Sequence, residues 1–168
     1  PMLVGDKEYD LTAEARRRVL WPKVALVGSL RFYDEMLRLY EDFGKEGIDA
    51  LVPWDFLRDL KDPRDNDRQA IIENFNVNGH LLRISSSDLV YVVNPGGYIG
   101  VNTSIDIGYA LGSRKSVYSM DRITDIGVYV LINDVKTPEE IIEIGKELQR
   151  TKYKDLRQQF MNGIQYNS

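Results

Sequence analysis

Residues 94–110 of the chain read NPGGYIGVNTSIDIGYA. The apolar run before them, residues 89–93, is typical of a buried strand, and the small and apolar residues from position 104 onward are typical of a helix. A glycine-rich loop therefore links a strand to a helix that carries one carboxylate, Asp106, in its first turn. Because ligands of open α/β sheets bind at the carboxyl ends of the strands, we expect the functional site at this loop.

Strands and helices alternate along the rest of the chain. The spacing of Met36, Tyr40 and Phe43 predicts one helix, and Thr137-Pro138 followed by two glutamates predicts the start of another. The predicted strands are residues 24–27, 50–53, 89–93, 116–120 and 127–132. This alternation predicts parallel βαβ units, and therefore an α/β fold whose mostly parallel five-stranded sheet is covered on both faces.

The domain organisation that we predict is simple. One domain spans residues 1–168, with an N-terminal extension over 1–22 and C-terminal helices over 137–168. We expect a short helix over residues 13–20 of the extension and a longer one over residues 71–84.

Composition excludes several classes of function. The 168 residues are 43% hydrophobic and 29% charged, which is ordinary for a globular protein, and a net charge of −4 argues against a nucleic-acid polymer as partner. The absence of cysteine excludes disulfides, thiolate metal sites and cysteine nucleophiles. No apolar run is long enough for a membrane span and no signal-peptide pattern opens the chain, so we expect a cytoplasmic protein.

No pattern in the sequence predicts a metal or a cofactor. The aspartate-rich residues 58–68 lack the turn glycine of a calcium loop, and we interpret them as a solvated loop. The chain also has neither the G-x-G-x-x-G spacing of a dinucleotide site nor the Gly-Lys-Ser/Thr of a P-loop.

The turn after the first predicted strand has the composition of an anion site. Gly28 lets the backbone approach a ligand, Ser29 supplies a hydroxyl and Arg31 supplies a planar cation beside a helix N-terminus. These residues are suited to a phosphate or a carboxylate. The alternative is a simple turn with an exposed arginine.

Asp106 permits two interpretations. A carboxylate at this position can attack the anomeric carbon of a sugar and form a glycosyl-enzyme intermediate. Alternatively, Thr103 is the N-cap of the helix and Asp106 is the third residue of a capping-box-like sequence.

The remaining candidates for the functional site include aromatic residues and the one histidine. Tyr98 is placed to stack on a base, whereas Tyr109 is expected to pack on the sheet. Trp54 and Asp55 follow the second predicted strand, where they either contact a base or plug the core. His80 lies far from any nucleophile motif, and we interpret it as a structural residue.

Three segments together resemble a known family. They are VGSLR at 27–31, SDLVYVVN at 87–94 and GVNTSIDIGYA at 100–110. In their order and spacing they resemble the nucleoside 2-deoxyribosyltransferase superfamily, which includes the 2'-deoxynucleoside 5'-phosphate N-hydrolases. The resemblance covers about residues 24–120, and its most specific element is the acid-x-Gly-Tyr-Ala helix after a glycine loop.

The resemblance implies a Rossmann-like or flavodoxin-like three-layer sandwich. It implies cleavage or transfer at the N-glycosidic bond of a nucleoside or nucleotide, with Asp106 at the position of the family's glutamate nucleophile. It also implies that Ser29 and Arg31 hold a 5'-phosphate and that Asp88 is structural. Family members often complete the pocket with a neighbouring subunit, so a homodimer or a larger homo-oligomer is expected.

The chain departs from the family pattern at two positions. Asp106 is one methylene shorter than glutamate, and Gly100 replaces an acid or serine that contacts the sugar or phosphate in many members. These departures motivate the alternative of a nucleotide-binding or sensing module without turnover. Besides Gly28, the predicted substrate-binding set takes four further residues from the loop and the helix start, namely Gly97, Gly100, Asn102 and Thr103.

Overall fold

The computed structural model describes residues 2–4, 7–9, 20–53 and 66–165, with side chains described over 20–53 and 76–159 and at Asn162. The helix predicted over residues 13–20 lies outside these residues except at its last position. Near the N-terminus, strands β1 (Met2–Val4) and β2 (Lys7–Tyr9) form an antiparallel pair of their own.

An entirely parallel five-stranded sheet forms the centre of the fold. Its strands are β3 (Lys23–Val27), β4 (Asp49–Leu51), β5 (Leu89–Val92), β6 (Ser116–Ser119) and β7 (Asp134–Val135). They lie in the order β4-β3-β5-β6-β7, and each neighbouring pair is parallel. This is the flavodoxin-like order, so the predicted fold class is confirmed.

Helices cover both faces of the sheet and make three layers. The described helices are α1 (Tyr33–Lys45), α2 (Asn66–Ser86), α3 (Val101–Gly112), α4 (Ile126–Tyr129), α5 (Pro138–Arg150) and α6 (Lys152–Gln165). Helices α1 and α5 pack on one face, whereas α2 and α3 pack on the other. Among the described helices, none has the length and apolar character needed to cross a membrane.

The strands are apolar throughout because both of their faces are buried. In β3, Val24 and Leu26 belong to the core under α1, whereas Ala25 and Val27 belong to the core under α2 and α3. All four side chains are fully buried. Successive side chains of a strand point to opposite faces, so a strand covered on both sides needs an unbroken apolar run.

The strand predicted over residues 127–132 is wrong. Residues 126–129 form the short helix α4, and the fifth strand is the two-residue β7 that follows. The physical reason is an N-cap: the Asp125 carboxylate accepts hydrogen bonds from the backbone N–H groups of Gly127 and Val128 at 2.8 and 3.2 Å. This cap starts a helical turn within an apolar run that otherwise resembles a strand.

The helix predicted from Thr137 is confirmed. The Thr137 hydroxyl accepts from the Glu140 backbone N–H at 3.3 Å, and the Glu140 carboxylate accepts from the Thr137 N–H at 2.8 Å. Pro138 occupies the first helical position. This capping box satisfies two donors that the start of a helix otherwise leaves unbonded.

Asp88 anchors the amino-terminal edge of the sheet, as its expected structural role requires. Its carboxylate accepts hydrogen bonds from the Lys23 backbone N–H at 2.8 Å, from the Tyr153 hydroxyl at 2.7 Å and from the Lys152 ammonium. Burial acts to raise the pKa of Asp88, but these hydrogen bonds outweigh it and hold the pKa below its ordinary value. The network ties α6 to the start of β3 and β5.

Candidate functional site

Two turns flank the point in the sheet where the order of the strands reverses. From β3 the chain passes to β4 on one side, and it then returns to β5 on the other side of β3. Open α/β sheets bind ligands in the crevice at such a switch point, outside the carboxyl ends of the strands. The turns after β3 and β5 therefore occupy the place where a ligand is expected.

The first turn is held tightly against the end of β5. A Cβ atom at Gly28 would lie 2.5 Å from the carbonyl oxygen of Val93, and the Val93 N–H donates to the carbonyl of Val27 at 2.7 Å. Glycine is thus required here by the packing of the two strand ends. Ser29 follows, and its carbonyl accepts from the Phe32 N–H at 2.8 Å to form a short 3₁₀ turn.

Arg31 joins this turn to the second one. Its guanidinium carbon lies 3.8 Å from the centroid of the Tyr98 ring, and Phe32 meets the same ring edge-to-face at 6.4 Å between centroids. The two turns therefore meet at one edge of the sheet, as a parallel sheet predicts. A stacked guanidinium keeps its N–H donors in its own plane, directed away from the ring.

The second turn is fixed by the loop after β6. The Asn94 side chain donates to the Asp121 carbonyl at 2.8 Å and accepts from the Asp121 N–H at 3.0 Å. Gly97 has a φ of 83°, and a Cβ there would lie 2.3 Å from the carbonyl oxygen of Arg122. Packing against this loop accounts for Gly97, and its contact with substrate stays a prediction.

Helix α3 starts three residues earlier than predicted. Gly100 is its N-cap, and the Gly100 carbonyl accepts from the Ser104 N–H at 3.1 Å. Thr103 is therefore inside the helix, and the interpretation of Thr103 as N-cap with Asp106 as its capping partner is wrong. Asp106 lies in the second turn, beyond the unbonded N–H groups that a capping carboxylate serves.

Asp106 instead contacts His80 on the neighbouring helix α2. The distance from Asp106 Oδ2 to His80 Nε2 is 3.4 Å, and the two residues are 8% and 6% exposed. Among the described residues, this is the polar contact that the Asp106 side chain makes. The sequence predicts a structural role for His80, and the fold places this residue beside the candidate nucleophile.

Buried polar atoms on α2, α3 and β6 lack a hydrogen-bond partner. They are both ring nitrogens of His80, the Thr103 hydroxyl and the hydroxyl of Ser119 at the end of β6. Thr103 precedes Asp106 by three residues and so lies on the same side of α3. An unsatisfied buried polar group costs about 1–3 kcal/mol, so each of these atoms is a candidate to bond a ligand or a water molecule.

Sequence reasoning missed His80, although one signal points to it. Helices α2 and α3 precede the neighbouring strands β5 and β6 and cover the same face, so they run in the same direction. His80 and Asp106 each lie six residues before the last residue of their helix. Residues at the same level of two adjacent parallel helices come into contact when both side chains face the groove between the helices.

The remaining predicted residues fall into two groups. Gly100 and Asn102 lie at the start of α3, where Asn102 is exposed and a Cβ at Gly100 would be 3.7 Å from the Tyr98 hydroxyl. Trp54 and Asp55 lie outside the described residues. Within the described part of the chain, no three acidic or histidine side chains gather as a metal site.

Comparisons with solved structures give similarities of fold. No family model and no curated protein matches the chain. A conserved protein from Enterococcus faecalis V583 is 18% identical, with a TM-score of 0.45, over 76% of this chain and 98% of that one. A 2-deoxyribosyltransferase from Bacillus psychrosaccharolyticus is 13% identical, with a TM-score of 0.49, over 71% of this chain and 90% of that one. Similarities this weak carry no argument about activity.

Proposed function

We propose that the protein cleaves or transfers at the N-glycosidic bond of a (deoxy)nucleoside or nucleoside 5'-monophosphate, with Asp106 as the nucleophile. The observation that carries the proposal is the buried contact between Asp106 and His80, whose ring nitrogens have no hydrogen-bond partner. No cap accounts for Asp106, and this residue lies on the helix that follows the predicted substrate loop. The acid-x-Gly-Tyr-Ala resemblance supports the same assignment.

The proposed reaction has two steps. A carboxylate oxygen of Asp106 attacks C1' of the sugar while the bond from C1' to the base nitrogen breaks. The base leaves with the electron pair of that bond and takes a proton from solvent, and a glycosyl ester of Asp106 remains. Water or a second base then attacks C1' and gives up a proton to solvent, and the ester electron pair returns to the carboxylate. Hydrolysis and transfer differ only in this last acceptor.

Ser29 and Arg31 are the proposed phosphate anchor. Arg31 is exposed and stacks on Tyr98, so the N–H donors in its plane remain for an anion. Arg31→Ala is expected to raise KM about 10- to 100-fold for a nucleoside 5'-monophosphate and to leave KM for the matching nucleoside unchanged. An equal effect on both substrates would remove Arg31 from the phosphate site.

The rest of the substrate is assigned to residues whose role is still a prediction. The base is proposed to stack on the ring of Tyr98, with Trp54 and Asp55 as further contacts. Gly28 and Gly97 are proposed to line the path of the substrate. Gly100, Asn102 and Thr103 are proposed to face the sugar. The mechanism needs a small-molecule substrate and no metal or cofactor, and the cytoplasmic location stays a prediction.

The direct test is release of free base. The purified protein is incubated with a panel of nucleosides, deoxynucleosides and their 5'-monophosphates, and the products are separated by chromatography. Asp106→Asn serves as the inactive variant, and Asp42→Asn, which removes an exposed carboxylate on α1, serves as the matched control. Wild type and the control are expected to release base from at least one substrate. The proposal fails if no substrate gives more base with wild type than with Asp106→Asn.

A nucleotide-binding or sensing module is the second candidate. It is favoured by the burial of the Asp106 side chain, which is 12% exposed, and by the shorter reach of aspartate relative to glutamate. A misplacement of about 1 Å can cost roughly 100-fold in rate. A thermal shift with a nucleotide, combined with no base release over days, would establish binding without turnover.

The expected homo-oligomer has a candidate interface on α3. Val101, Ile105 and Tyr109 recur every four residues along this helix and are 79%, 53% and 37% exposed. Asp106, the one charged residue of α3, is buried, so this face can meet its own copy without like-charge repulsion. We propose a second copy of the chain as the occupant. Ile105→Glu is expected to yield a monomer in light scattering, whereas Leu156→Glu on α6 leaves the mass unchanged.

A further inference from the structure

We propose that His80 is a positioning residue that holds Asp106 Oδ2 and leaves Oδ1 as the attacking oxygen. The inference rests on the proposed function and assigns a task to a residue that the sequence analysis set aside. The neutral imidazole with its proton on Nε2 is a donor, and Nε2 is the atom that faces the carboxylate.

The position of His80 is set by the core beneath it. Ile84, one turn further along α2, is fully buried in the core under α2 and α3, and Leu81 packs against the same core. The backbone that carries the imidazole is therefore fixed. A separation of 3.4 Å is longer than a good hydrogen bond, but catalytic hydrogen bonds of free enzymes are often long and shorten when substrate binds.

The imidazole of His80 has hydrogen-bonding capacity that the described structure does not use. Both of its nitrogens are buried without a hydrogen-bond partner, and Nε2 has only the 3.4 Å contact with Asp106. Asn76, one turn earlier on the same side of α2, also has a buried carbonyl oxygen without a partner. The seam between α2 and α3 thus holds polar atoms that the folded chain leaves unbonded.

The chemistry of the second step needs such a donor most. When water attacks C1' of the glycosyl ester, the bond from C1' to Oδ1 breaks and its electron pair returns to the Asp106 carboxylate. An N–H group at Oδ2 stabilises the anion that forms, so it makes the carboxylate a better leaving group. Loss of the imidazole should therefore slow breakdown of the ester more than its formation.

The test compares three variants at position 80 with a matched neighbour. His80→Ala removes the donor, and His80→Gln keeps an amide N–H near the place of Nε2. Leu81→Ala removes packing from the adjacent position without touching the contact with Asp106. Urea denaturation tests whether each variant keeps its folded state. If the alanine variant does not fold, His80→Asn, whose shorter amide does not reach the place of Nε2, serves as the variant without the donor.

The expected results concern both rate and intermediate. His80→Ala should lower kcat about 100-fold and lower KM with it, so that kcat/KM changes much less, and intact-protein mass spectrometry should show the sugar accumulating on the enzyme. His80→Gln, or imidazole added to His80→Ala, should recover part of kcat. Leu81→Ala should keep the wild-type kcat and should show no accumulated adduct.

Each other outcome contradicts a specific claim. If wild type releases base and Asp106→Asn does not, yet His80→Ala keeps the wild-type kcat, the role of His80 is overturned and the proposed function stands. A loss of kcat that neither glutamine nor imidazole recovers, without an adduct, also overturns it. If wild type itself has no glycosidic activity, both the proposed function and this inference are overturned.

Discussion

Two buried carboxylates lie on either side of β5, and their surroundings are opposite. Asp88, just before the strand, accepts three hydrogen bonds and ties α6 to the sheet. Asp106, on the helix after the strand, has one polar contact among the described residues, at 3.4 Å to His80, whose ring nitrogens have no hydrogen-bond partner. Asp88 therefore stabilises the fold through its hydrogen bonds, whereas hydrogen bonds compensate the burial of Asp106 poorly.

The comparison also distinguishes the two edges of the sheet. The network of Asp88 lies at the amino-terminal edge, where the elements are joined and no ligand is expected. Asp106 lies on the helix that starts at the carboxyl edge, where the turns that contain Arg31 and Tyr98 meet. Parallel sheets place function at the second edge, because the loops there are free to vary.

The largest expected effect is on turnover. Asp106→Asn should lower kcat/KM for the best substrate by roughly 10⁴-fold or more, because the amide cannot serve as the nucleophile. Asp88→Asn, measured on folded protein at the same temperature, should keep kcat/KM within a small factor of wild type. Base release, measured by chromatography, gives kcat/KM for both variants. Equal losses of kcat/KM in the two variants would contradict the assignment of different roles to Asp88 and Asp106.

The free energy of unfolding should rank the same two variants in the opposite order, with Asp88→Asn affected more than Asp106→Asn. Asp88→Asn should lower the free energy of unfolding by about 2 kcal/mol, because Tyr153 and the Lys23 N–H lose a charged acceptor. Asp106→Asn should change it by less than about 1 kcal/mol, or raise it, because a poorly paired buried charge is removed. Urea denaturation measures both values. A larger loss in Asp106→Asn would mean that Asp106 is a structural acid.

The strands and the turns could be predicted from the sequence because the information is local. The apolar runs of β3 and β5 and the glycines that end them indicate the sheet and its functional edge. The start of α3 could not be predicted in the same way, because Gly100 and Thr103 both suit an N-cap and the packing of the loop decides between them.

The contact of Asp106 with His80 is the part that local patterns leave out. The two residues belong to separate helices, and their meeting depends on the order β3-β5-β6 and on the heights of α2 and α3. A lone histidine on a helix has no spacing that reveals its partner. The strand predicted over residues 127–132 is wrong for a local reason instead, since the apolar run indicates a strand while the nearby N-cap Asp125 starts a helix.

Acid should act on the network of Asp88. Because its folded pKa lies below the unfolded value of about 3.9, the stability that it contributes is complete above that value. This stability is lost as the pH falls through the folded pKa. The difference in urea midpoint between wild type and Asp88→Asn should therefore be constant near neutral pH and shrink in acid. A difference that persists unchanged at low pH would show that the ionised carboxylate is not its source.

The smallest effect concerns two hydroxyl groups: that of Tyr153, which bonds Asp88, and that of Thr103, which lies three residues before Asp106 on α3. The Tyr153 hydroxyl donates to Asp88, and burial together with this bond raises the pKa of Tyr153 above its ordinary value, so the group keeps its proton. Tyr153→Phe should cost about 1 kcal/mol of unfolding free energy. Thr103→Val removes a hydroxyl that has no partner and keeps the shape of the side chain, so stability should stay equal or rise. Any rise in KM in the valine variant would then come from lost substrate contact, whereas a loss of stability equal to that of Tyr153→Phe would show that the Thr103 hydroxyl is bonded in the folded protein.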